Sequence, residues 1–156
     1  MNIRAASAAD LDAIVDMTEA RRVQYEQYQP TFWRKARDSA DRARAFLGGL
    51  VTEADCIFLV VESDDELLGF IVARPVPAPP VYAPDGKTFL IDDYCVRSPG
   101  LWSSAGTALL EWVTERARAE GAAQIVIVCA DRDTSKADIL RRANLSIASN
   151  WWTIPL

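Results

Sequence analysis

Residues 88–118, TFLIDDYCVRSPGLWSSAGTALLEWVTERAR, constrain the fold more than any other stretch of the chain. Thr88 to Val96 is rich in β-branched and aromatic residues and reads as a buried strand. From Gly106 onward, Leu109, Leu110, Val113 and Ala117 recur at helical spacing. Between strand and helix lies a loop of small side chains, among them Ser103, Ser104, Ala105 and Gly106. Such a loop lets backbone N–H groups approach a ligand closely, and the helix after it presents the positive end of its dipole. A phosphate or pyrophosphate would fit there. The same order of elements also serves as a tight connection that binds nothing, and these residues alone leave both readings open.

The 156 residues, half of them hydrophobic, suffice for one compact domain spanning 1–156 without disulfides or metals. A net charge of −5 argues against a general nucleic-acid binder. No apolar run approaches the roughly 20 residues of a membrane span, and the N-terminus has no signal-peptide pattern, so a cytoplasmic protein is expected. Cys56, Cys95 and Cys129 each fall in an expected strand, are odd in number and lack metal-ligand spacing, and read as small buried hydrophobes. The chain has no histidine. Ser-His and Cys-His catalysis are therefore excluded, and base chemistry falls to carboxylates, tyrosine, lysine or water.

Helical and strand patterns alternate along the chain. Asn2 to Ala5 reads as a strand, and Ser7 with Asp10 resembles a capping box opening a helix that Pro30 stops. Thr31 to Leu50 reads as a second helix, basic on one side. Cys56–Glu62 and Leu67–Ala73 are apolar strands joined by a Ser-Asp-Asp-Glu hairpin. Arg74 to Gly86 holds five of the eight prolines and is expected to be an irregular, stiff loop. A helix over Gly106–Glu120 ends at Gly121 as a C-cap. Gln124–Ala130 reads as a parallel strand buried on both faces, Lys136–Ala143 as a helix and Ala148–Ile154 as a closing strand.

Taken together, MNIRAASAADLDAIVDM, IDDYCV, VRSPGLWSSAG and GTALLEWV resemble the GNAT superfamily of acetyl-CoA-dependent N-acetyltransferases over nearly the whole chain. The family's loop pattern, Arg/Gln-x-x-Gly-x-Gly/Ala, falls on Leu101, Ser104 and Gly106, so only the last glycine is kept. The resemblance implies a single-domain α/β fold with a mixed central sheet flanked by helices, acetyl-CoA as co-substrate, an acceptor amine and a homodimer. It implies that the strand before the loop splays from its neighbour at a bulge and offers main-chain groups of Tyr94, Cys95 and Val96 to the pantetheine and thioester. Ser103, Ser104, Ala105, Gly106 and Thr107 would meet the pyrophosphate, with Arg97 supplying charge that Leu101 does not. Trp102 would cover the cofactor or pack on the sheet, and Asp133 stands where family members often contact CoA.

LIDDYCV resembles polyamine-type and related small-amine acetyltransferases, which implies Asp92 as the base that contacts the amine, with Asp93 as its structural partner. Asp92 and Asp93 are strand neighbours, so one is expected to face the cleft, where burial would raise its pKa; the bland alternative is that one caps a loop or pairs with an arginine. The tyrosine many family members use as general acid falls on Leu140, leaving Tyr94, Tyr82 or water to substitute. Glu26, Tyr28, Trp33 and Tyr82 suit a small cationic amine, or are core or dimer contacts. The expected activity is acetyl transfer to a small-molecule amine by direct attack. The alternatives are an inactive CoA-binding or sensor homologue and a protein or peptide N-acetyltransferase.

Overall fold

The structure, a computed structural model, describes residues 1–156. Its centre is a hairpin of β2 (Ile57–Ser63) and β3 (Glu66–Val76). Asp64 and Asp65 turn it with φ of 51° and 63°, both left-handed, as a two-residue type I′ turn demands and as aspartate tolerates. β1 (Asn2–Ala5) pairs antiparallel with β2, and β4 (Lys87–Ile91) and β5 (Tyr94–Val96) both pair antiparallel with β3. β6 (Ala122–Ile127) runs parallel to β4, completing a six-stranded mixed sheet of order β1-β2-β3-β4-β6, with β5 beside β3.

The apolar run of β2 follows from covering both faces of the sheet. Phe58 and Val60 point into a core with Ile14, Met17, Ala43 and Leu47 of α1 (Leu11–Tyr28) and α2 (Ser39–Val51). Ile57, Leu59 and Val61 point the other way, into a core with Leu109, Leu110 and Val113 of α3 (Thr107–Ala119) and with Ile139 and Leu140 of α4 (Thr134–Arg142). The expected capping box is present: the Asp10 carboxylate accepts from the Ser7 N–H at 2.7 Å. Gly121, at φ 83°, ends the helix before β6. None of the helices is long and apolar enough to cross a membrane.

Several elements differ from expectation, each for a physical reason. The single strand Thr88–Val96 is two, because Asp92 and Asp93 interrupt it and the pairing with β3 slips there by one residue: Leu90 faces Arg74, but Tyr94 faces Ile71. That slip is a β-bulge. The second helix starts only at Ser39; Thr31–Asp38 is irregular backbone between two turns, with Phe32 exposed to solvent. β3 runs on through Pro75, which faces Phe89 of β4 beyond the last residue that β2 pairs, where no N–H is needed on the other edge. The loop of small residues is itself helical, 3₁₀ over Pro99–Leu101 and π over Trp102–Gly106, leading directly into α3. β6 is not buried on both faces, since Ala123, Gln124 and Val126 are exposed. The cause is the missing last strand: residues 148–154 have no regular structure, and Trp151 and Trp152 are 81% and 92% exposed. Only the edge of Trp151 meets Phe32, 5.8 Å away.

Two close approaches fix β5 and the helix after it. A Cβ on Gly69 would lie 2.8 Å from the Cys95 carbonyl oxygen, and one on Gly106 would lie 2.7 Å from Cε3 of Trp102. Gly106 is thus kept because the indole occupies the space of a side chain. Gly69→Ala is expected to cost about 2 kcal/mol through overpacking against backbone, read as a lower urea midpoint at unchanged slope.

Candidate functional site

The bulge at Asp92 and Asp93 opens the sheet. Val128 donates its N–H to the Ile91 carbonyl at 2.9 Å, the last backbone bond between this line of strands and the β6 side. Past it, β5 stays on β3: the Arg97 N–H donates to Leu68 and the Val72 N–H to the Asp93 carbonyl, both at 2.8 Å. Alternation along an antiparallel ladder then turns the Cys95 N–H toward β3, and those of Tyr94 and Val96 away from it into the fork between β5 and the end of β6. These two N–H groups have no backbone partner.

A cleft of about 130 Å³ lies at this fork. Met17, Arg21 and Tyr28 line it from α1, Cys95 to Pro99 and Trp102 from β5 and the following turn, and Asp133 to Ser135 from the start of α4. Its charged groups are largely committed. Arg21 donates to Asp93 Oδ1 at 2.6 Å and to the Tyr94 carbonyl at 3.1 Å. Asp133 caps α4, accepting from the Lys136 N–H at 3.3 Å and from the Tyr25 hydroxyl at 2.8 Å. Burial beside Asp133 pushes the Tyr25 phenol well above its usual range. Behind the cleft wall, Lys136 has no exposed surface and does not line the cleft; its Nζ donates to the Val128 carbonyl at 2.7 Å and the Tyr94 carbonyl at 3.4 Å. Its ammonium also lies over the Tyr94 and Trp102 rings, 5.1 and 5.9 Å from their centroids. Burial, and secondarily Arg21, push Lys136 down to about 8.

A family model for the acetyltransferase (GNAT) family matches residues 15–139, taking in the bulge, the fork and the helical turn beyond it. The chain belongs to the GNAT family. Solved structures share the fold. A mutant of the BH1408 protein from Bacillus halodurans is 16% identical with a TM-score of 0.87, covering 100% of this chain and 99% of that one. A predicted acetyltransferase with acetyl-CoA from Clostridium acetobutylicum is 13% identical with a TM-score of 0.76, covering 99% and 95%. The aminoglycoside antibiotic 6′-N-acetyltransferase of Acinetobacter haemolyticus is 14% identical with a TM-score of 0.74, covering 100% and 98%. No curated protein matches the chain.

Within this GNAT fold the expected site residues divide. Cys95, Val96, Arg97 and Trp102 come together at the cleft, and Tyr94 bounds it through its backbone. The Tyr94 side chain does not: it is fully buried, its hydroxyl donates to the Gly106 carbonyl at 2.6 Å, and burial pushes it far above the usual phenol range. As a proton donor it is out of reach. Trp102 packs edge-on against Tyr94 at 4.9 Å, so it belongs to the sheet side. Ala105 and Gly106 are buried, and the Ser104 and Thr107 hydroxyls donate back to the carbonyls of Leu101 and Trp102. Only Ser103 in this stretch faces solvent freely. The free end of the helix dipole has moved to the first turn, where Leu101 makes the first backbone bond to Ser98 and the Gly100 N–H has no intrahelical partner. Arg97 leans away, its Nε donating to the Leu67 carbonyl at 2.7 Å and pairing with Glu66.

The carboxylates also exchange places relative to expectation. Asp93 is the buried one, held by Arg21, whereas Asp92 is exposed and makes no hydrogen bond, so the burial expected to tune Asp92 falls on its neighbour. On the acceptor side, Tyr25, Tyr28 and Trp33 stack, with Tyr25 5.8 Å from Tyr28 and 5.1 Å from Trp33 between ring centroids. Glu26 accepts from the Lys35 N–H at 3.1 Å. Tyr82 does not join them, standing 72% exposed in the proline-rich loop. The three thiols are free, and burial raises all of them, Cys56 to about 11, which removes them as nucleophiles near neutrality.

Arg21 and Lys136 are not singled out by the sequence pattern, although a signal exists: each is a cation on an otherwise apolar helix stripe, with Ile14, Met17 and Tyr25 in one case and Ile139 and Leu140 in the other. For Lys136 the sign of the pH effect is fixed. Between its folded value near 8 and the unfolded value near 10.5, the unfolded chain holds a proton that the native state lacks, so native stability from this group rises with pH. The stability of Lys136→Met relative to wild type should therefore fall as pH goes from about 8 to about 10, measured by urea unfolding of both proteins. Because Lys136 also lowers the Cys95 and Cys129 thiols, both proteins carry alanine at those two positions for the comparison.

Proposed function

We propose that this GNAT protein transfers an acetyl group from acetyl-CoA to the amine of a small molecule by direct attack. The observation that carries the reading is the fork, where two backbone N–H groups on one strand face a cleft between splayed strand ends. Acetyl-CoA supplies an activated thioester. Tyr94 and Val96 N–H groups suit its carbonyl and pantetheine amides, being donors fixed before any ligand arrives. The first helical turn at Ser98 to Leu101 suits the pyrophosphate better than Ser103 to Thr107, where the Ser104 and Thr107 hydroxyls are spent inside the helix. Asp133 is a poor phosphate contact, being an acceptor already bonded to Tyr25.

Asp92 is the base in this reading, because Asp93 is held by Arg21 and Asp92 carries the uncommitted carboxylate at the bulge. Glu26, Tyr28 and Trp33, with Tyr25 behind them, line the side from which an amine with an apolar portion would come. The aminoglycoside 6′-N-acetyltransferase shows that this fold can serve a small-molecule acceptor, as a ribosomal-protein-alanine N-acetyltransferase shows that it can serve a protein, and the choice here rests on the aromatic side of the cleft. The exposed apolar tail, Trp151 to Leu156, supports a homodimer, and the cytoplasm is the compartment in which we place the activity.

Calorimetric titration with acetyl-CoA tests the first half: micromolar binding, about −8 kcal/mol, is expected. Silence up to millimolar concentrations would leave a GNAT fold kept for a sensor or interaction role. For the second half, Asp92→Asn should lower kcat in a thiol-release assay by about 100-fold or more, while acetyl-CoA affinity stays within about threefold. Unchanged turnover would remove Asp92 from the mechanism.

A further inference from the structure

The two edges of the sheet are guarded differently. β1, at one end, carries Arg4, whose guanidinium pairs with Asp10 and Glu62 at 2.8 Å each. β6, at the other end, is Ala-Ala-Gln-Ile-Val-Ile, with no charge and no proline, and its one irregularity lies at its start, opposite Lys87 and Thr88. An edge strand of this kind is a template for another strand unless something covers it. Both of its faces are short of cover. Ile125 and Ile127 lean toward the core behind α3, yet with Leu110 and Leu145 they line an open groove of about 270 Å³. Val126, between them, points to the opposite face and is 41% exposed.

The complementary half is the tail of the same chain. Residues 146–156, SIASNWWTIPL, carry no charged side chain, and Ile147, Trp151, Trp152 and Ile154 are each at least 74% exposed. Leu145, whose N–H donates to the Leu140 carbonyl at 3.0 Å, anchors the start of this tail at the groove. Beyond it the tail leaves its own β6: no backbone hydrogen bond joins the two, and Trp151 meets Phe32 instead. When extended, the segment sends Trp151 and Trp152 to opposite faces, one for the groove and one for Val126.

We propose that the tail of one copy adds as a strand to the free edge of β6 in a second copy, while the second copy's tail does the same to the first. The inference rests on the homodimer reading above and names its surface. The exchange is isologous, so it closes at two copies. The area is sufficient: at about 200 Å² for each buried tryptophan, the four in two tails remove about 800 Å² from water before the faces beneath them are counted, against roughly 1,600 Å² for a specific interface.

Sedimentation of the full-length chain over a range of concentrations tests the exchange. Wild type is expected to be a dimer at micromolar concentration. Trp151→Asp combined with Trp152→Asp, at positions exposed in the single chain, should weaken association at least about 100-fold while leaving the helical circular dichroism unchanged. Val126→Lys, which puts a charge on the receiving edge, should act in the same way. The decisive step is mixing. The tail variant has an edge but no tail to give, and Val126→Lys has a tail but no edge, so a labelled sample of one should form heterodimers with the other. If Val126→Lys does not fold, wild type takes its place in the mixture, and heterodimers are again the expected result. Wild type that stays monomeric throughout overturns the homodimer reading and the exchange together. A dimer that survives the double tail substitution leaves the homodimer standing and overturns the exchange. Monomeric variants that do not combine on mixing also overturn it, in favour of tails packed against each other.

Discussion

One residue too many on the strand opposite β3 shapes everything around the cleft. The slip at Asp92 and Asp93 lets β4 pair with β6 on one side while β5, on the same line, leaves that partner and keeps only β3. Without it, the N–H groups of Tyr94 and Val96 would be consumed by a continuing ladder. The bulge also rotates the two aspartates out of strict alternation, which is why the buried carboxylate is Asp93 and why Arg21 on α1 has an anion to meet. Gly69 then lets β3 approach the Cys95 carbonyl closely enough to hold the displaced strand.

Much of this is legible in the sequence because it follows from period and turn chemistry. The Ser-Asp-Asp-Glu hairpin, the Ser7 and Asp10 cap, the stripe of Leu109, Leu110, Val113 and Ala117, and Gly121 all stand where pattern puts them. The elements that differ depend on partners that sequence does not name. Residues 148–154 have strand composition, but composition cannot say whether another strand is there to receive them, and a β6 buried on both faces presupposes that strand beside it. The stretch at Ser103 to Gly106 has the composition of a loop because small residues are ambiguous. Trp102, packed against both Tyr94 and Gly106, decides for helix.

The site residues are legible as a location more than as roles. The strand before the helix does reach the cleft, yet the side chains of Tyr94, Ser104, Thr107 and Asp133 are turned to structural bonds, and Tyr82 is elsewhere. What the fork contributes instead are backbone donors, with Arg21 at the cleft and Lys136 buried behind it, two cations from helix stripes that pattern assigns to the core. Arg21 has its charge matched, and Lys136 is solvated by carbonyls and rings alone. Both tie backbone together at the fork, Arg21 through Asp93 and the Tyr94 carbonyl, Lys136 through the Tyr94 and Val128 carbonyls.

The π segment at Trp102–Gly106 is, like the bulge, a single-residue excess, this time in a helix. The two irregularities flank β5 in sequence, and each absorbs its extra residue locally. Removing one residue between Trp102 and Gly106 would restore plain α-helical winding and leave α3 nearly in place, because the wider turn already takes up that residue. Removing one residue inside α3 would instead turn the rest of the helix by about 100°, swinging Val113 off the sheet. In aligning related sequences, a gap within this turn keeps the core behind the fork in register, and a gap within α3 does not.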